Sequence, residues 1–95
     1  MRAMAYHFWS PTCEPCKAIK LAVAELHDDF PTVTWVSVNT HEDPQDLAKK
    51  YAVSVVPTIV VLRIDGNGTP VLTEKHSGTN MMGYYRILKK ATLIQ

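Results

Sequence analysis

The apolar positions of this chain change period several times, and each change marks an element. Ala3 to Trp9 is a short apolar and aromatic run closed by the turn residues Ser10-Pro11-Thr12, which predicts a buried strand feeding a loop. From Pro15 the apolar residues Ile19, Ala22, Val23, Leu26 and Phe30 recur at three- and four-residue steps, the spacing of one helix face. Pro15 suits a first helical turn, where its missing N–H costs nothing, and Pro31 ends the run. Val33 to Val38 is rich in β-branched residues and predicts a second strand. A strand, a helix and a strand in succession imply parallel pairing.

Asp43-Pro44 then predicts a cap and a first-turn proline for a short second helix carrying Leu47, Ala48 and Tyr51 on one face. Thr58 to Leu62 is a strongly apolar third strand. The turn signal Asp65-Gly66-Asn67-Gly68 folds a fourth strand, Val71 to His76, antiparallel to it, and the mixed polarity of that strand predicts exposure. After Ser77-Gly78, a cap at Thr79 or Asn80 opens a closing helix with Met81, Tyr84, Tyr85, Leu88 and Ala91 facing inward. The order βαβαββα describes an α/β fold with a four-stranded mixed sheet and flanking helices, in a single domain over residues 1–95.

Composition narrows the functional classes. With 95 residues, 46% of them hydrophobic, the chain can bury one small core. Ten basic residues against nine acidic, without blocks, leave a net charge of +1, which is no electrostatic footprint for nucleic acid or anionic lipid. The start, Met1 to Ala5, holds one basic residue and runs into Tyr6-His7-Phe8-Trp9 rather than a signal-type apolar core, and no run is long enough to span a bilayer. A soluble, cytoplasmic monomer is the expectation.

The chemistry concentrates in Cys13-Glu14-Pro15-Cys16, which contains both cysteines of the chain. Two intervening residues at a helix start let the sulfurs approach disulfide distance, and the first-turn N–H groups favour a thiolate on the first. The motif reads as a reversible dithiol. Half of a zinc site and a pair of inert structural cysteines are the alternatives. Structural zinc needs four ligands, and His7, His27, His41 and His76 lack the short paired spacing that would complete a set, so no metal is expected.

With Phe8-Trp9, the Cys13-x-x-Cys16-Lys17 helix start, Val56-Pro57-Thr58 and Gly78 before the last helix, the chain resembles the thioredoxin family from about Tyr6 to Ile94. The resemblance implies a thioredoxin-like fold and a thiol-disulfide oxidoreductase that reduces protein disulfides. It would work in electron transport and cell redox homeostasis with no cofactor beyond its redox-active disulfide. Its implied partners are disulfide-containing proteins and an external reductase or thiol pool. Cys13 would be the exposed attacking sulfur and Cys16 would resolve the mixed disulfide. Val56–Pro57 would be cis and lie against the dithiol, leaving the Val56 backbone free for an extended substrate segment. Trp9, Thr12, Val56, Pro57 and Gly78 would form the substrate-binding surface.

Departures from the family pattern sharpen the questions. His7 stands where thioredoxins usually carry a buried aspartate, and Ser37 where a partner lysine is common. An imidazole with an ordinary pKa of about 6.5 can accept the Cys16 proton, which makes His7 a candidate general base; the alternative is a hydrogen-bonded core histidine. Thr12 replaces a common tryptophan, and Glu14 replaces a glycine and sets a negative charge beside Cys13, against the help of Lys17. The chain is expected to begin directly at its first recognisable strand, without the leading strand and helix of larger thioredoxins, which leaves Val33 to Val38 as a tolerated open edge. That compact core is shared with glutaredoxins, so a glutathione-dependent reductase is one alternative function, although no Gly-Gly pair precedes the last helix. A non-enzymatic thioredoxin-like binding subunit is the other. His27 and His41 are expected in solvent, and His76 near the substrate groove.

Overall fold

Strand β3, Thr58–Ile64, is buried along nearly its whole length on both faces, which is why Ile59 to Leu62 is a continuous apolar run rather than an alternating one. The computed structural model describes residues 2–93, and β3 lies inside its four-stranded sheet, ordered β2-β1-β3-β4. Strand β1, Arg2–Trp9, runs antiparallel to β3 on one side and parallel to β2, Thr34–Asn39, on the other. Strand β4, Pro70–Ser77, pairs antiparallel to β3 and is the more exposed, as its polarity predicts. Strand β2 is the other edge of the sheet.

Two apolar layers flank the sheet. Ala3 and Ala5 of β1 with Ile59 and Val61 of β3 face the helices α1 (Glu14–Ala18), α2 (Lys20–Asp29) and α4 (Met81–Leu93), whose Ile19-side and Leu88-side residues close the larger cluster. The two alanines let the helices approach the sheet closely. On the opposite face Phe8, Val38, Val60, Leu62 and Ile64 meet a thinner cover from the short helix α3 (Leu47–Lys50) and its neighbours Tyr51 and Val53. Arg63 extends from the α4 side of β3 and its Nη1 donates to the Ala91 carbonyl at 2.7 Å, supporting the end of α4.

The element order matches the pattern read from sequence, with local differences. The helix expected from Pro15 to Phe30 is divided at Ile19, whose φ of −103° and ψ of 6° leave helical values. Ile19 remains buried through the break, so apolar spacing carries no trace of it. Asp43 does cap, but Pro44 lies in a turn outside the helix: α3 begins at Leu47, and the Asp43 carboxylate accepts the Leu47 and Ala48 N–H groups, each at 2.9 Å. In α4, Asn80 supplies the cap by accepting the Met82 N–H at 3.0 Å. The helix buries Gly83, Tyr84, Ile87, Leu88 and Ala91, while Tyr85 turns outward at 39% exposure and keeps an edge contact with Phe30.

Leu88 is fully buried in the larger cluster, so Leu88→Ala is expected to cost about 2–5 kcal/mol, measured as a lower urea midpoint with an unchanged slope. Tyr85→Ala, at the margin of the same helix, should cost clearly less.

Candidate active site

Three chain segments meet at one end of the sheet because of its register. Phe8 lies opposite Thr58, and Thr58 opposite Ser77, so the loop after β1, the loop before β3 and the loop after β4 emerge together. The first holds Cys13, the second Val56-Pro57 and the third Gly78. Cys13 N–H donates to the Ser10 carbonyl at 3.3 Å, a turn that brings the chain round to the start of α1. There Cys13 is the N-cap, and its sulfur accepts the Cys16 N–H at 3.1 Å.

Cys13 and Cys16 are joined as a disulfide, with Cα atoms 5.2 Å apart and a sequence separation of 3. The expectation of one exposed and one buried sulfur is modified: the residues are 9% and 7% exposed, since the proline loop lies against Cys13. What separates them is their surroundings. Cys13 Sγ is 3.7 Å from the Val56 carbonyl oxygen, whereas Cys16 lines an interior cleft with His7. The Val56–Pro57 bond is cis. Among the described residues Val56 makes no backbone hydrogen bond, so its main chain is available at the lip.

The cleft, of about 490 Å³, runs between α2 and the β2 edge. Its inner end carries His7, Trp9 and Cys16, and its outer end the stacked rings of His27 and Trp35, 4.1 Å apart. Ser37, in the position where the family often has lysine, accepts the Trp9 indole N–H at 2.7 Å and so fixes that ring along the cleft. His7 Nε2 is buried without a hydrogen-bond partner among the described residues, which sets it apart from a hydrogen-bonded core histidine. Burial, followed by repulsion from His27, lowers its pKa from 6.5 to about 4. The imidazole is therefore neutral at pH 7.

Other sequence-predicted residues divide. Thr12 is exposed in the loop before Cys13, and Gly78, with φ of 102°, occupies a backbone region that side chains disfavour while its N–H donates to the Pro57 carbonyl at 3.0 Å. Lys17 pairs with Glu14: its Nζ lies 3.4 Å from the Glu14 carboxylate, an exposed i,i+3 pair in which each residue offsets the charge of the other. His27 is exposed, as expected, yet stacked on Trp35. His76 lies against Gly83 and Tyr84. Sequence reading missed the Tyr84 hydroxyl, which reaches the Pro57 and Gly78 carbonyls. The signal was a phenol in a fully buried stripe, since such an O–H needs a partner. No group of three or more His, Cys, Asp or Glu side chains among the described residues could hold a metal, and none of their helices is long and apolar enough to cross a membrane.

A mixed sheet of this order, with a disulfide capping the helix after its first strand and a cis-proline facing it, is the thioredoxin-like fold. The family model described as Thioredoxin matches residues 2–83, and the chain belongs to the thioredoxin family. Human Glutaredoxin-3 is 32% identical over 79 residues, covering 76% of this chain and 23% of that protein. Thioredoxin 1 of Nostoc sp. is 33% identical over 57 residues, covering 59% of this chain and 52% of its own. The chain thus matches between about a quarter and about half of the length of these two relatives. Among solved structures, Fasciola hepatica thioredoxin superposes with a TM-score of 0.78 at 25% identity, covering 96% of this chain and 82% of that one. Oxidised mitochondrial thioredoxin 3 of Saccharomyces cerevisiae gives 0.76 at 26% identity, covering 93% and 77%.

The depressed pKa of His7 ties stability to acidity with a definite sign. Its folded value lies below its unfolded one, so the unfolded chain takes up the proton first; the stability is whole above pH 6.5 and is lost as pH falls towards 4. Urea midpoints measured across that range should fall more steeply for the wild type than for His7→Leu. Parallel curves would assign the acid loss to other groups.

Proposed function

We propose that this chain is a protein thiol-disulfide oxidoreductase that reduces disulfides through Cys13 and Cys16. The observation that carries the reading is the cap itself: the Cys16 N–H points at Cys13 Sγ from 3.1 Å, where it would stabilise a thiolate once the disulfide is reduced. That thiolate attacks one sulfur of a substrate disulfide and forms a mixed disulfide, while the first substrate sulfur leaves as a thiolate and takes up a proton. Cys16 then gives up its proton and attacks Cys13 Sγ, releasing the second substrate sulfur and restoring the Cys13–Cys16 disulfide. Two electrons pass to the substrate, and an external reductase or thiol pool returns them.

Cys16 needs somewhere to send its proton, and His7 shares its cleft. A neutral imidazole with an unpartnered Nε2 can take that proton, directly or through a water that the cleft is wide enough to admit. With a pKa of about 4 it holds the proton briefly, which suits transfer onward to solvent rather than storage. Trp9, Thr12, Val56, Pro57 and Gly78 are assigned to the substrate surface, with the free Val56 main chain as the edge along which an extended segment aligns. The cycle requires no bound cofactor. We assign the chain to the cytoplasm as a monomer serving electron transport and redox homeostasis. The likeness to Glutaredoxin-3 supports a second reading, in which glutathione mixed disulfides are the substrates.

Wild-type protein should reduce insulin with dithiothreitol as donor, and Cys13→Ser should abolish that turnover. Cys16→Ser should accumulate a covalent mixed disulfide through Cys13, visible by non-reducing electrophoresis and mass spectrometry. Turnover of glutathione mixed disulfides with none of insulin would favour the second reading, and full biological activity in the double serine variant would establish a binding subunit instead. In single-turnover experiments His7→Ala should slow resolution about tenfold while leaving formation of the mixed disulfide unchanged. Equal resolution rates would remove His7 from the mechanism.

A further inference from the structure

The fully buried hydroxyl-bearing ring of Tyr84 sits where α4 passes beneath two of the three loops at the disulfide. Its O–H lies 3.2 Å from the Pro57 carbonyl oxygen and closer still to that of Gly78, with both carbonyls accepting. Pro57 O also receives the Gly78 N–H. Next to these, the Thr58 hydroxyl donates to Val55 O at 2.7 Å and therefore accepts from Ser77 Oγ at 2.6 Å. Burial raises the Tyr84 pKa to about 12, so the phenol remains a donor at any working pH.

The ring itself is held from the side. His76 of β4 meets it edge-on with centroids 4.7 Å apart, and its Nε2 lies 3.1 Å from Asn80 O at the start of α4. The imidazole occupies the space that a side chain at position 83 would need: a Cβ on Gly83 would collide with the His76 ring. Gly83 therefore serves close approach between β4 and α4.

We propose that Tyr84 is a positioning residue for disulfide exchange, its hydroxyl tying the Pro57 loop to the Gly78 loop and so fixing the groove along which an extended substrate segment aligns beside Cys13. This rests on the proposed oxidoreductase reading and adds to it the part that recognises substrate main chain. Tyr84 touches neither sulfur. Its effect falls on binding of substrates long enough to follow the Val56 edge, and spares small disulfides that reach Cys13 without using it.

Tyr84→Phe keeps the ring, its contact with His76 and the core, and removes one hydroxyl. KM for insulin should rise about five- to tenfold, the effect of one lost hydrogen bond, with kcat nearly unchanged. Turnover of the small aromatic disulfide 5,5′-dithiobis(2-nitrobenzoate) by the reduced protein should stay within about twofold of wild type. Amide hydrogen exchange supplies a readout independent of turnover: the Gly78 N–H should exchange about tenfold faster in Tyr84→Phe, with Val60 and Leu62 unaffected. An unchanged insulin KM, an equal loss with both disulfides, or unchanged protection at Gly78 would overturn the proposal. If the wild type reduces neither disulfide, the oxidoreductase reading fails by itself, and Gly78 exchange still decides whether Tyr84 holds the loops together.

Discussion

The antiparallel pairing of β1 with β3 is the constraint on which the site depends. Placing Phe8 against Thr58 fixes the distance between the end of one strand and the beginning of the other, and with it the approach of the Cys13 loop to Val56-Pro57. Because β3 is buried on both faces, a one-residue slip would exchange Ile59 and Val61 for Val60 and Leu62 in two separate clusters at once. The loops can be irregular because the strands behind them cannot slide. The β4 pairing extends the same register to Ser77 and brings in Gly78.

Electrostatics at this end of the molecule come mostly from the backbone and from desolvation. The exposed Glu14–Lys17 pair contributes little, because water and salt screen it and its two charges offset one another. The Cys16 N–H bonded to Cys13 Sγ is better shielded and fixed in direction. His7 is governed by burial, which keeps the imidazole neutral, so the charged side chains lining the cleft are Lys17 and Lys20 rather than His7. The same burial would push an aspartate carboxyl at this position up towards its protonated form, so imidazole and carboxyl offer different proton chemistry there.

Much of the architecture was legible because single residues had few alternatives. The apolar run through Val60 and Val61 is rich in β-branched residues and too short for a helix, Asp65 to Gly68 is a dense turn signal, and the cysteine spacing fitted a helix start. The cis bond at Val56–Pro57 was legible through family resemblance and not through the residues, since X–Pro is mostly trans. Side-chain direction was harder. On α4 the adjacent apolar positions Tyr84 and Tyr85 are about 100° apart, and periodicity could not say that the stripe runs through Ile87 rather than Tyr85. The near-equal burial of the two cysteines, the attraction of Lys17 to Glu14 and the reach of the Tyr84 hydroxyl all depend on contacts between distant segments, or on rotamers, that a linear pattern does not encode.

The disulfide closes a loop spanning only three positions of sequence. In the chain-entropy description such a short crosslink restricts the unfolded chain by roughly 2 kcal/mol, less than half the effect of a bridge across a whole domain. The architecture rests on the sheet and its two apolar layers, so the bond can open and close as a consumable part of the molecule while the framework that presents it keeps its shape.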